Sequence, residues 1–227
     1  MTELAARPQL MRSLGRLIRG LSALFWGLPI TLIVCVKSGS YELLKGFGAL
    51  PPVFAMLLLY YGLVQLGHFQ RQERVWRAAL DRTKIFALVN VGLATFLYFW
   101  NRMPNDPFFN QTVGLLMLSS LVFLFSLNQV LQRLTAMLPD ETLRAETKLF
   151  TNLNLYLFMA SVVLLAVYAT LVQINSLPAF LIGLSVVLVA IRHWLLLVLI
   201  LFPMAMTMTL IWKIKELILT NVFDAES

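Results

Sequence analysis

The sequence predicts an all-α protein: a polytopic integral membrane helical bundle of six transmembrane helices, arranged as three hairpin repeats and preceded by an N-terminal interfacial amphipathic helix. Three observations carry that prediction. Of 227 residues, 59% are apolar and 13% charged, and the mean hydropathy is +0.81. A soluble domain averages about 25% charged residues, so too few polar side chains are present to cover a water-facing surface. The apolar residues fall into separated runs of transmembrane length, and basic residues gather on alternate connections. A segment of the chain also repeats internally.

Residues 9–19 set Leu10, Met11, Leu14, Leu17 and Ile18 on one helical face and Arg12, Arg16 and Arg19 on another, the pattern of a helix lying in the membrane interface. Residues 1–20 are therefore read as an interfacial segment, 21–219 as the bundle and 220–227 as a tail. No small-x-small cleavage site follows the first apolar run, so that run is expected to be retained. Apolar spans follow at about 21–36, 50–69, 85–100, 113–132 and 152–174, and a sixth starts near Leu177. These pair as hairpins over about 21–69, 85–132 and 152–202. The connections at 70–84 and 133–148 read as longer charged linkers.

Orientation follows from basic residues. Fourteen lie on one side: Arg7, Arg12, Arg16 and Arg19, then five in 70–84, three in 133–148, and Lys213 with Lys215. Lys37, Lys45 and Arg102 make three on the other. Such asymmetry places both termini in the cytoplasm and suits a bacterial inner membrane. The net charge of +7 is thereby assigned to loops beside anionic lipid and not to nucleic acid.

Thr83-Lys84-Ile85-Phe86 with Asn90 and Leu93 recurs as Thr147-Lys148-Leu149-Phe150 with Asn154 and Leu157, an offset of 64 residues. The same offset aligns Gln65, Gln129 and His193, preceded by Val64, Asn128 and Arg192. Beyond His193 the chain stays apolar to Trp212. A helix from Leu177 to Trp212 would run about 54 Å at 1.5 Å per residue, against a hydrocarbon core of about 30 Å. Either a seventh span starts near 195, or one long helix kinks at Pro203 and projects from the cytoplasmic side. The second reading is preferred, because Ala190-Ile191-Arg192-His193 contains no turn residue. It leaves an apolar surface needing a cover, drawn from the linkers, a second copy or another protein. Leu195, Leu199, Phe202, Pro203 and Met206 mark that expected interface.

Chemistry is sparse. No Walker loop, GxSxG elbow, HExxH motif or carboxylate pair occurs, and one cysteine excludes an internal disulfide. An enzyme is disfavoured, and neither a catalytic nor a metal site is expected. Asn90, Asn128, Asn154, Arg192 and His193 are polar residues within or at the ends of spans, read either as interhelical contacts or as the lining of a polar path. His68 and His193 lie at similar expected depth, where paired imidazoles could ligate haem. No cofactor is assigned, and chance placement is the simpler account of the pair. Asn110-Gln111-Thr112 matches a glycosylation sequon but adjoins a span, which disfavours modification. The expected function is a non-enzymatic membrane subunit or scaffold, acting through helix–helix association as a homo-oligomer or within a larger inner-membrane complex. The alternatives are a small channel or transporter, and a haem-binding anchor of a redox complex. The expected partners are the bilayer and other membrane subunits.

Overall fold

A computed structural model describes residues 2–37, 46–69, 73–138, 140–173 and 200–220. The described residues form six helical segments: α1 (Thr2–Lys37), α2 (Leu50–Leu66), α3 (Arg74–Arg102), α4 (Pro107–Ala136), α5 (Glu141–Gln173) and α6 (200–220). Three helices are long and apolar enough to cross a membrane, Arg12–Val36 within α1, Arg74–Arg102 and Pro107–Ala136, while Leu50–Leu66 is apolar but shorter. From α1 to α5 each helix packs on its successor, as short connections between antiparallel neighbours require.

The amphipathic segment and the first span are one uninterrupted 36-residue helix. Its inward stripe, Leu17, Leu21, Leu24 and Leu28, is buried and repeats every three or four residues. Pro51 and Pro52 open α2, where a missing amide hydrogen breaks no bond. The approach of α1 to α2 is set by glycine. A Cβ on Gly20 would stand 2.9 Å from the Gly62 carbonyl oxygen and 3.1 Å from the Leu66 nitrogen, and one on Gly27 would meet Leu59 at 2.8 Å. Thr31 then spans the contact, donating to the Ala55 carbonyl at 3.0 Å.

The charged linkers are shorter than the sequence suggests. Residues 74–84 are the first turns of α3, whose buried stripe of Trp76, Leu80, Thr83 and Ala87 lies between outward-facing charges. Likewise α4 runs to Ala136 and α5 starts at Glu141. Asp81, Glu141 and Glu146 are therefore helical residues and not loop residues. Asp140 caps α5, accepting from the Thr142 hydroxyl at 2.6 Å, the Thr142 amide at 2.9 Å and the Leu143 amide at 3.1 Å. The Thr142 hydroxyl, followed by the Leu143 amide, holds its carboxyl below the ordinary range. Asp106 caps α4 in the same way, accepting from the Phe108 amide at 2.9 Å. Across the α3–α4 turn, the Asn110 amide oxygen accepts from Trp100 Nε1 at 2.6 Å and its nitrogen donates to the Pro104 carbonyl at 3.1 Å. The sequon side chain is thus tied into the turn.

One face of the described part of the apolar C-terminal stretch is covered by the chain itself, while Leu201, Phe202 and Trp212 stay exposed. Leu210, Ile211, Ile214 and Ile218 of α6 belong to the same core cluster as Leu17, Trp76, Leu131 and Leu143. The segment touches α1 through Phe25 and Trp212, with ring centroids 5.7 Å apart, α4 through Asn128 and Thr207, and α5 through Glu146 and Lys213. Of the residues expected to face a partner, Pro203 and Met206 are buried inside the bundle and Phe202 is exposed. Leu195 and Leu199 lie outside the described residues, as does the stretch from Leu177 to Leu199.

Candidate functional site: a polar seam between α4, α5 and α6

Thr147, Thr151 and Asn154 occupy one face of α5 at i, i+4 and i+7, and all three are buried. The two threonines return their hydroxyls to their own helix, Thr147 to the Leu143 carbonyl at 2.6 Å and Thr151 to the Thr147 carbonyl at 2.8 Å. Such back-bonding lets a threonine sit in a buried face without an orphaned donor. Asn154 has no such bond: it is 4% exposed, and neither its amide oxygen nor its nitrogen has a partner among the described residues.

Facing this stripe, Asn128 of α4 is fully buried at 0% exposure. Its nitrogen donates to the Leu124 carbonyl at 3.0 Å and to Thr207 Oγ1 at 2.8 Å, and the Thr207 hydroxyl donates in turn to the Pro203 carbonyl at 2.8 Å. The Asn128 oxygen has no partner among the described residues. Leu124 and Pro203 also wall a cavity of about 10 Å³ together with Leu121, Phe125, Asn154, Leu157 and Phe158. Asn154 and the two residues whose carbonyls accept from Asn128 and Thr207, Leu124 and Pro203, thus line one cavity between the three helices. The cavity is at the lower limit of space for one water molecule.

At the basic end, Lys213 Nζ and Glu146 Oε2 pair at 2.6 Å, with both side chains about half exposed. A groove of about 310 Å³ beside them is lined in part by Asp140, Thr142, Glu216 and Thr220. Glu146 is next to Thr147 in the chain, so the seam runs from a solvated ion pair to a dry amide about 12 Å along α5, at 1.5 Å per residue. No open channel joins the two among the described residues: the threonines between them are buried and self-bonded.

Of the residues expected to form a polar path, Asn128 and Asn154 are both buried, and Asn154 shares a cavity with Leu124, the carbonyl partner of Asn128. Asn90 is buried on α3 with its oxygen unpartnered, but no hydrogen bond links it to the other two. Arg192 and His193 lie outside the described residues. His68 sets Nδ1 2.9 Å from the Val64 carbonyl at the end of its own helix, and its expected haem partner, His193, is outside the described residues. The repeated motif buries matching positions, Thr83 with Thr147, Ala87 with Thr151, and Asn90 with Asn154. Thr207 and Trp76 were not foreseen. The first is an ordinary helical threonine in sequence, and the second is hidden among arginines.

Two substitutions separate an amide that binds helices together from one that does not. Asn128→Leu breaks the bond to Thr207 and is expected to lower stability by about 1 kcal/mol. Asn154→Leu replaces two unpaired buried groups by methyls in a side chain of the same branched shape, and stability is expected to rise by about 1–3 kcal/mol. Thermal unfolding in detergent reads both shifts, and a loss on Asn154→Leu would show that its amide is satisfied.

The chain matches no family model, no curated protein and no solved structure. What fold and seam define together is a class: an all-helical protein with three helices fit to cross a membrane and a buried amide junction between its last helices.

Proposed function

We propose that this chain is a non-enzymatic integral membrane subunit that works by helix–helix association, and specifically by pairing with a second copy of itself through α5. The observation that carries this reading is a polar stripe on the outward face of that helix. Lys148, Asn152 and Tyr156 follow one another at i, i+4 and i+8, all exposed, with Tyr156 70% exposed. Around them Leu149, Leu155 and Met159 are exposed and apolar, and a groove of about 480 Å³ runs along Ala145, Lys148, Leu149, Asn152, Leu153 and Tyr156. In hydrocarbon an outward amide and phenol lack the water that would satisfy them, so polar residues in spans turn toward protein. An amide both donates and accepts. Across a twofold axis Asn152 complements its own copy, as an isologous interface requires.

The membrane setting belongs to the same proposal: six spans as three hairpins, both termini in the cytoplasm, and a bacterial inner membrane. Its support is the charge asymmetry between alternate connections and the matching burial of Thr83/Thr147 and Asn90/Asn154. The C-terminal face expected to meet a partner adds exposed Phe202, while Pro203 and Met206 are buried and Leu195 and Leu199 lie outside the described residues. In a Cys35→Ala background, Asn152→Cys is expected to crosslink copy to copy in native membranes, whereas Leu88→Cys on the outward face of α3 does not. Equal crosslinking at both positions, or none at 152, overturns the pairing.

A second reading, a small channel or transporter, is favoured by Asn154, a buried amide kept without a partner at a cost to stability. On that reading Arg192→Leu and Asn154→Leu change ion leakage from dye-loaded liposomes while leaving the α5 crosslink intact. No leakage in any form removes it.

A further inference from the structure

We propose that the outward stripe of α1 is a binding site for one anionic phospholipid, with Arg12, Arg16 and Arg19 holding the headgroup phosphate and the apolar residues beyond them lying along an acyl chain. The stripe is continuous. Residues 12, 16, 19, 23, 26, 30 and 33 recur every three or four positions, so one face passes from Arg12, Arg16 and Arg19 through Ala23 to Trp26, Ile30 and Ile33. The three arginines are exposed, as are Trp26, Ile30 and Ile33, while the opposite stripe from Leu17 to Leu28 fills the core.

At the arginine end the surface is concave. A groove of about 420 Å³ is lined by Arg12, Gly15, Arg16 and Arg19, with no carboxylate among them. None of the three arginines enters an ion pair or hydrogen bond among the described residues. A side chain at position 15 would fill the groove, because a Cβ built there meets nothing within 4 Å. Three unpaired guanidinium forks around an open floor suit a phosphodiester, which each can grip through two parallel hydrogen bonds. The site opens the candidate span Arg12–Val36, which puts it at headgroup depth. From Arg19 to Ile33 the helix rises about 21 Å, enough for one acyl chain to lie against Trp26, Ile30 and Ile33. A free phosphate would use the arginines and leave that apolar continuation idle, so the observations favour the lipid. The inference rests on membrane embedding and is independent of pairing through α5.

The test uses the full chain in detergent, titrated with phosphatidylglycerol, with phosphatidylcholine of the same chain length and with glycerol 3-phosphate, and counts bound lipid by native mass spectrometry. Phosphatidylglycerol is expected to bind best. Arg16→Gln is expected to weaken it about fivefold and the triple glutamine variant on the order of a hundredfold, from the usual contribution of one basic residue at an anionic surface. Gly15→Leu keeps every charge, its Cβ meets nothing within 4 Å, and it is expected to weaken binding by obstructing the groove. Should the triple variant fail to fold, Gly15→Leu decides alone. Equal binding of phosphatidylcholine, equal binding of glycerol 3-phosphate, or undiminished binding by Gly15→Leu overturns the site.

Discussion

Replacing Gly20 by leucine is expected to separate α1 from α2 and to lower stability by about 3 kcal/mol, the upper end of the usual penalty for overpacking. Most overpacked cores recover part of the loss by rotating a side chain. Here the nearest atoms to the new Cβ are the Gly62 carbonyl oxygen at 2.9 Å and the Leu66 nitrogen at 3.1 Å, and backbone cannot turn aside. The two helices must move apart, which also stretches the Thr31 bond to the Ala55 carbonyl. Gly20→Ala is the graded version. In water it would gain about 1 kcal/mol of helix propensity, but a span stays helical when the bundle comes apart in a membrane. Little of that gain offsets the clash, so alanine is expected to destabilise as well, by less. Unfolding in mixed micelles measures both, and a leucine variant as stable as the parent would show that this contact does not set the helix spacing. Gly92→Leu on α3, where an added Cβ meets nothing within 4 Å, is the matched control.

The second large effect is expected at Trp76. It is 1% exposed and among the largest fully buried side chains, so Trp76→Ala should cost about 3–5 kcal/mol through the cavity it leaves. Trp76→Phe tests what the indole contributes. Its Nε1 hydrogen is buried and has no partner among the described residues, and phenylalanine removes that orphaned donor while keeping most of the volume. The phenylalanine variant is expected to lie within about 1 kcal/mol of the parent, the gain from deleting an unpaired polar group offsetting a small void. If alanine cost no more than phenylalanine, Trp76 would not be a core residue, and the first turns of α3 would be the solvated linker that their charge suggests.

That linker shows where the sequence is legible and where it is not. The spans announce themselves because hydrocarbon selects composition, and composition survives averaging along the chain. The stripe Trp76, Leu80, Thr83 and Ala87 lies among Arg74, Arg77, Asp81 and Arg82, and a count of charges reports how many there are but not which way they face. Reading 70–84 by its period would have found the helix. The buried amides of the seam were visible as Asn90, Asn128 and Asn154, since an amide inside an apolar run must turn inward. That Asn128 finds Thr207 while Asn154 finds nothing depends on how α6 docks, a relation between residues 79 apart. The glycine contact was hidden for a similar reason. Gly20 and Gly62 are on different helices, so no motif within one helix contains both. The heptad spacing of Gly20 and Gly27 was the available signal.

The position of residues 200–220 also bears on the order in which the bundle is assembled. This segment contacts α1, α4 and α5 at once, so it is a central stave and not an appendage. A ribosome delivers it after the helices it joins. Until then Asn128 has no hydroxyl to bind, Glu146 has no ammonium, and the leucines of α1 that end up against Leu210 and Ile211 face whatever else is near. Contacts closed over such long loops form slowly. Until residues 200–220 dock, the apolar side chains they cover are left open, and exposed apolar surface of that kind is adhesive.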